Sequence, residues 1–206
     1  MKKNYVITVF ALIAFVCVSN AQDFKFGAKA GLNFANLRGD EVEDLDSRTS
    51  IHFGAVAEFP ISEKFSIQPE IMYSAQGAKG EEDASDYSDL LSGDIDLVAK
   101  FNNLNIPLMA KYYVADGFSI QAGPQIGFLL KAESEAETGD FSASEDIKDN
   151  FKTLDFGLNF GLGYQLKNGL FFDGRYNLGL TNIADYEEGD GDVKNGVFQL
   201  SVGYFF

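Results

Sequence analysis

The end of the chain, from Asn195 to Phe206, alternates between apolar and small polar side chains. A repeat of two residues is the pattern of a β-strand whose two faces meet different surroundings. In a membrane-spanning β-barrel, such a strand turns large apolar side chains towards lipid and small polar ones towards the lumen. The pattern therefore predicts a closing barrel strand, with Phe198, Leu200, Val202, Tyr204 and Phe206 on the lipid face and Gln199, Ser201 and Gly203 inside.

Seven earlier segments show the same alternation, and turn-forming residues separate them. Each holds at least ten residues, and about 9–11 are enough to cross a bilayer at a tilt. With the terminal segment they make eight strands, the smallest usual number for such barrels. The predicted strands are 24–36, 50–59, 65–76, 101–114, 118–131, 153–166, 170–181 and 195–206.

The connections alternate in length. Segments 60–64, 115–117 and 167–169 are tight turns, and the four long polar connections are 37–49, 78–100, 132–152 and 183–194. Short turns on one side and long loops on the other are typical of periplasmic turns and extracellular loops. The sequence therefore predicts an all-β fold, an eight-stranded antiparallel up-and-down transmembrane β-barrel with a polar lumen, an apolar exterior and both termini in the periplasm.

A soluble barrel with its apolar face inside is the structural alternative. An eight-stranded interior is only just filled by side chains of ordinary size. It has no room for up to six bulky apolar residues from nearly every strand, whereas the glycine-rich polar set fits. The aromatic residues also favour the membrane barrel, because they collect at the predicted periplasmic ends of the strands, as in an interfacial girdle. These residues are Phe24, Phe59, Phe65, Tyr112, Phe118, Tyr164, Phe172 and Tyr204.

The N-terminus has the features of a secretory signal. Lys2 and Lys3 precede an apolar run of about 14 residues, too short for a spanning helix, which needs about 20. Small residues at Ser19 and Ala21 predict cleavage before residue 22. We therefore expect a signal peptide, 1–21, and one outer-membrane barrel domain, 22–206, in a Gram-negative-type bacterium. Cys17, the only cysteine, lies in the leader, and lacks the preceding small residue that a lipoprotein would need.

Composition excludes several classes of protein. The formal charge is −15, and it becomes −17 once Lys2 and Lys3 are removed, the wrong sign for a nucleic-acid binder. A single histidine and no mature cysteine exclude a Cys/His metal site, and we predict no cofactor. The four long connections hold 24 of the 31 carboxylates. Oxygen ligands suit calcium, but the spacing fits no EF-hand loop, so we interpret these segments as mobile, solvated loops.

Several segments resemble the PorT-like outer-membrane β-barrel family, and the resemblance spans the mature chain in order as well as content. It implies a small bacterial outer-membrane barrel. The namesake of that family is tied to protein secretion and surface assembly, a role that we do not carry over. The matching segments are 27–34, 68–73, 104–113, 122–127, 155–158 and 175–180.

The inner face carries a nearly balanced set of charges: Lys25, Lys29, Lys111, Lys131 and Arg175 against Glu58, Glu70, Asp155 and Asp173. Unpaired buried charges are costly, so Glu70 is predicted to accept hydrogen bonds from one or more of Lys29, Lys111 and Arg175. The arginine is the best candidate for a bidentate contact. These four residues form the predicted lumen charge network.

Two other features have a functional and a structural interpretation. His52 lies on the inner face, where an enzyme barrel would need a nucleophile and an acid, and Ser50 and Asp155 are within reach. Nothing in the sequence positions a nucleophile, so an ordinary lumen histidine is favoured and no catalytic residue is predicted. Pro69, Pro107 and Pro124 fall inside strands, where they mark either a gate or, as we favour, β-bulges.

Three functions are compatible with these patterns. The leading hypothesis is a monomeric structural, assembly or interaction protein of the cell envelope, with secretion or other envelope proteins as partners. A narrow channel and a membrane-embedded enzyme are the alternatives. Outer-membrane lipid should contact the barrel wall, and the barrel-assembly machinery should engage the last strand through Phe206.

Overall fold

A computed structural model describes residues 24–39, 45–83, 94–138, 141–185 and 192–206. Within these ranges the chain forms strands and a short 3-10 helix, Lys148–Asn150, and no helix is long and apolar enough to span a membrane. The predicted signal peptide lies outside the described residues. The strands are β1 Lys25–Arg38, β2 Asp46–Ser62, β3 Phe65–Asp83, β4 Asp94–Ala115, β5 Phe118–Thr138, β6 Phe141–Asp146, β7 Leu154–Gln165, β8 Leu170–Gly179 and β9 Lys194–Phe205.

Eight of the strands close into an antiparallel barrel. β1 to β5 pair in chain order, β7 to β9 continue the sequence, and β9 pairs with β1 from Gly27↔Phe205 to Arg38↔Lys194. The β5–β7 pairing completes the ring. β6 lies outside the ring and pairs with the C-terminal part of β5. The predicted eight-stranded up-and-down barrel is therefore confirmed.

The two faces of the wall follow the alternation in the sequence. On β9, Phe198, Leu200, Val202 and Tyr204 are 43–47% exposed on the outside, whereas the intervening residues are buried in the lumen. The same outward apolar face runs around all eight barrel strands. The aromatic residues predicted to form a girdle lie at the end with the tight turns, which we call the short-turn end; the opposite end is the long-loop end.

The long connections contain more regular structure than predicted. β3 and β4 stay paired out to Asp83↔Asp94, and β5 continues to Thr138. β5 then turns back as β6, so that four strands form a sheet beyond the barrel wall. We call this the projecting sheet (77–83, 94–102, 131–138 and 141–146). The loop interpretation of 78–100 and 132–152 is wrong at these positions, because the strands continue the pairing that the barrel has already started.

Lys131 does not face the lumen as predicted. Between Asn102↔Lys131 and Asn103↔Leu129 the register shifts by one residue, so β5 contains a bulge at Leu130. One extra residue moves every following side chain to the opposite face. Lys131 is consequently exposed on the outside, and Ala132 is buried inside.

The prediction that the three strand prolines mark bulges is also wrong. Pro69, Pro107 and Pro124 all lie in unbroken register, where Pro69 faces Leu108, Pro107 faces Gln125 and Pro124 faces Leu158 across their strand pairs. Each proline removes one ladder donor without displacing its neighbours. Pro60 is the proline that lies at a register shift.

Gly77 lies where the barrel wall becomes the projecting sheet. Its φ of 131° is rarely adopted by residues with a β-carbon, and such an atom would press on the carbonyl oxygen of Ala99. We predict that Gly77→Ala lowers the free energy of unfolding by about 1–3 kcal/mol. Gly174→Ala is the matched control, since its β-carbon would meet only Leu200 Cδ2 at 3.6 Å. Urea unfolding in lipid vesicles measures both, and equal stability of the two variants would contradict the assignment.

A sealed lumen as the candidate functional site

The centre of the lumen is organised around the carboxylate of Glu70. Arg175 donates two hydrogen bonds to it, Nη1 to Oε2 and Nη2 to Oε1, both at 3.0 Å, and Lys29 Nζ donates to Oε2 at 2.9 Å. Gln68 Nε2 adds a fourth bond at 2.7 Å. In the ring of eight strands β3 and β8 are diametrically opposite, so the Glu70–Arg175 pair crosses the whole lumen. The side chains of Glu70, Arg175 and Lys29 are at most 1% exposed.

Lys111, the fourth predicted member, does not bond to Glu70. Its ammonium donates to Glu58 Oε2 at 2.7 Å and to Gln68 Oε1 at 3.0 Å. Glu58 is nearer the short-turn end of β2 and also accepts a bond of 2.6 Å from the hydroxyl of Tyr113. Because Gln68 donates to Glu70 while accepting from Lys111, its amide joins the two ion pairs into one connected network.

Asp173 completes the charge balance. Its carboxylate lies 3.5 Å from Lys29 Nζ and 3.8 Å from Arg175 Nη2. Both of its oxygens lack a hydrogen bond within the described part of the chain, so the contact is mainly Coulombic. Three cations (Lys29, Lys111 and Arg175) face three anions (Glu58, Glu70 and Asp173), and the set is formally neutral.

A second polar cluster surrounds His52. Nδ1 lies 2.8 Å from Asn33 Oδ1, and Nε2 lies 2.8 Å from Ser201 Oγ. Asn33 Oδ1 is an acceptor that also receives Gln199 Nε2 at 2.8 Å, so the ring proton is assigned to Nδ1. Nε2 is then free to accept the Ser201 hydroxyl proton, which is the polarity of a serine–histidine–asparagine triad.

The partners considered from the sequence for His52 lie elsewhere. Ser50 donates to the carbonyl of Ala75 at 2.7 Å, and Asp155 accepts from Asn195 at 2.8 Å. A nucleophile needs space for a substrate, but Asn33, His52 and Ser201 are 0%, 1% and 8% exposed. The solvent-open cavity at the short-turn end and the small cavity beside Phe151 are not lined by any of them. The cluster therefore satisfies buried polar groups and offers no place for a substrate.

Apolar clusters lie in the lumen on both sides of the Glu70–Arg175 pair. Near the long-loop end, Phe151 packs edge-to-face on Phe101 at 4.8 Å, and Ile183 and Ala184 from the β8–β9 connection join the same cluster. Near the short-turn end, Phe171 stacks on Phe205 at 4.6 Å, next to Val56 and Met72. The sequence reading missed both layers, although Phe151 and Ile183 stand out as large apolar residues within acidic connections.

Two cavities lie near the ends of the barrel, one open to solvent and one very small. One of about 360 Å³ opens at the short-turn end and stops at Glu58, Ser66 and Tyr113. Another of about 10 Å³ lies beneath Phe151 beside Asn103 and Asp155, room for at most one water molecule. No group of three or more potential metal ligands occurs in the described ranges, and many of the acidic-loop residues lie outside them.

Removing Glu70 should destabilise the barrel strongly. Glu70→Ala leaves Arg175 and Lys29 buried without their acceptor, and we predict a loss of about 3–5 kcal/mol in the free energy of unfolding. Glu63→Ala, in the exposed turn between β2 and β3, is the matched control and should change it by less than about 0.5 kcal/mol. Urea unfolding in vesicles measures both. A Glu70→Ala barrel as stable as the control would show that lumen water replaces the carboxylate.

Ser201 should be chemically silent in the folded barrel. We predict that an alkyl fluorophosphonate, which labels activated serines, does not modify the wild-type protein, because the hydroxyl is buried behind the network. Mass spectrometry of the intact chain after incubation checks this. Labelling that disappears in both Ser201→Ala and His52→Ala would instead reveal an accessible nucleophile.

Comparison with known proteins agrees with this architecture. Ail, the attachment invasion locus protein of Yersinia pestis, superposes with a TM-score of 0.52 at 14% identity, covering 90% of this chain and 100% of Ail. Neisserial surface protein A superposes with a TM-score of 0.54 at 13% identity, with the same coverage. Identities this low show the fold alone, and no functionally curated protein matches the sequence. A family model described as an outer membrane protein beta-barrel domain matches residues 20–185, most of the chain, and the protein belongs to that family.

Proposed function

We propose that this protein is a sealed barrel of the bacterial outer membrane whose task is carried out by its surface at the long-loop end. The observation that carries the proposal is the closed lumen. The Glu70–Arg175 pair spans the bore, and an apolar layer lies on each side of it. A barrel whose lumen offers neither a channel nor a substrate site interacts with other molecules through its two ends and its outer wall.

The projecting sheet supports the same conclusion. β3, β4 and β5 continue beyond the ends of the other barrel strands, and β6 is built only there. A structural role confined to the bilayer does not need this extension. We therefore favour an interaction or assembly role in the cell envelope over a channel, and we infer no catalysis.

Orientation in the membrane is part of the proposal. We infer that residues 1–21 are removed on export and that the short-turn end, with both termini, faces the periplasm. Phe206 is 83% exposed on the outer face, and its backbone N–H bonds to Phe26 O at 2.8 Å. Its ring packs edge-on against Tyr204 at 5.9 Å, and we infer that the barrel-assembly machinery recognises its exposed part. The resemblance to the PorT-like family is compatible with such an envelope role, and a part in secretion is not included.

The sealed lumen predicts an electrically silent protein. Purified barrel inserted into a planar bilayer should give no steady ion conductance above that of the bare bilayer, since buried ion pairs and apolar layers exclude water and ions. A porin inserted in the same way is the positive control, and protease protection verifies insertion of the barrel. Steady, reproducible conductance steps from the wild-type protein would favour the channel instead.

Topology is testable with single cysteines. We predict that Ser142→Cys, at the tip of the projecting sheet, reacts with a membrane-impermeant maleimide on intact cells, whereas Asp116→Cys, in a tight turn, reacts only after lysis. The mature chain has no other cysteine once the leader is removed. Labelling of Asp116→Cys from outside would invert the proposed orientation.

A further inference from the structure

β6 is an edge strand with one unused side. It pairs with β5 from Glu133↔Asp146 to Thr138↔Phe141, and its other side pairs with no strand in the described ranges. β7, the next barrel strand, begins at Leu154 and meets β5 only up to Phe128. The far side of β6 is therefore open beyond the barrel wall, and residues 142–146 are all exposed.

The backbone groups on the open side follow from the register. Ile147 N–H bonds to Ala132 O at 3.0 Å, directly continuing the β5–β6 ladder. In an antiparallel pair every second residue bonds to the partner strand. The residues between them, Ser142, Ser144 and Asp146, consequently turn their N–H and C=O groups to the open side. The strand end is fixed there, since Asp146 Oδ1 accepts a 2.9 Å bond from Lys148 N–H.

This edge lacks three of the usual protections against strand pairing. Natural edges are blocked by lysine and other charged side chains, proline, bulges or a short strand. β6 contains neither lysine nor proline, its register with β5 is regular, and its central residues are the small Ser142, Ala143 and Ser144. All three of these residues are exposed.

Charge selects the partner. On β5, Glu133 and Glu135 form ion pairs with Lys131 and Lys100. Glu145 and Asp146 on β6 form none with the described residues. Opposite charges across a strand pair stabilise it, and like charges directly opposite destabilise it. An incoming strand should therefore carry lysine or arginine beside these two carboxylates.

A second copy of the chain fits the edge poorly. Two barrels in one membrane share their orientation, so their β6 strands would run in the same direction. Such a parallel pairing brings Glu145 and Asp146 of the two copies close together.

We propose that the open side of β6 binds an extended, basic segment of another envelope or extracellular protein by strand addition. Backbone hydrogen bonds to Ser142, Ser144 and Asp146 supply the affinity, and Glu145 and Asp146 select basic side chains. This inference rests on the proposed function and names the binding mode and the partner chemistry. Failure of strand addition would leave the conductance and topology results unaffected, so the two ideas fail separately.

Fluorescent ten-residue peptides provide the test. One alternates valine and lysine, and its matched control alternates valine and glutamate. Binding to the complete purified barrel in lipid nanodiscs is measured by fluorescence anisotropy. The basic peptide should bind at least tenfold more tightly than the acidic one. Equal affinities, or no binding of the basic peptide, would overturn the proposal.

Ser144→Pro separates strand addition from simple charge attraction. Proline removes the N–H that faces the open side and leaves the bonds to β5 in place, which edge strands tolerate. Binding of the basic peptide should weaken at least tenfold, whereas Ser144→Ala keeps the N–H and should bind like the wild type. Circular dichroism verifies that both variants are folded. Undiminished binding by a folded Ser144→Pro barrel would overturn strand addition, and dimers lost in Ser144→Pro would show that a second copy is the occupant.

Discussion

The ion pair between Glu70 and Arg175 is the interaction on which the interior depends. It joins strands on opposite sides of the ring, and each partner is buried where an unpaired charge would be severely destabilising. The bidentate geometry fixes the distance between the two strands, and the opposite charges of the two side chains balance each other. Lys29 and Gln68 donate to the same carboxylate, so movement of Glu70 on β3 would break several hydrogen bonds together.

A closed interior follows from the same constraint. Long charged side chains meet across the centre of a narrow bore, and the Phe171–Phe205 and Phe101–Phe151 contacts add apolar clusters on either side of them. His52 lies in the same interior, and both of its ring nitrogens have hydrogen-bond partners. A triad-like arrangement can therefore arise from the need to pair buried polar groups, without any catalytic purpose.

The strands and their faces could be predicted from the sequence because the alternation has a period of two, and a barrel wall separates lipid from lumen at every residue. The Glu70–Arg175 contact could also be predicted, because both side chains are long and face inwards. The ion pair of Lys111 with Glu58 could not be predicted, since it depends on the stagger between neighbouring strands, which the sequence of one strand does not give.

Lys131 shows a second limit of prediction from the sequence. One bulge residue reverses the face of every side chain after it, and Leu130 carries no local signal of a bulge. The contact between Phe151 and Phe101 joins the β6–β7 connection to β4. It could not be predicted, because residues in such a connection show no periodic pattern.

Charge neutrality inside the barrel determines where electrostatics act outside it. Lys29, Lys111 and Arg175 balance Glu58, Glu70 and Asp173, so the formal charge of −15 belongs to the remaining residues, and 24 of the 31 carboxylates lie in the four long connections. A negative field at one end attracts basic partners from a distance and is screened within about 8 Å at physiological salt. Such a field speeds encounter but does not distinguish one basic partner from another. Selectivity requires short-range geometry, and the open backbone of β6 is a fixed element that offers it at this end of the molecule.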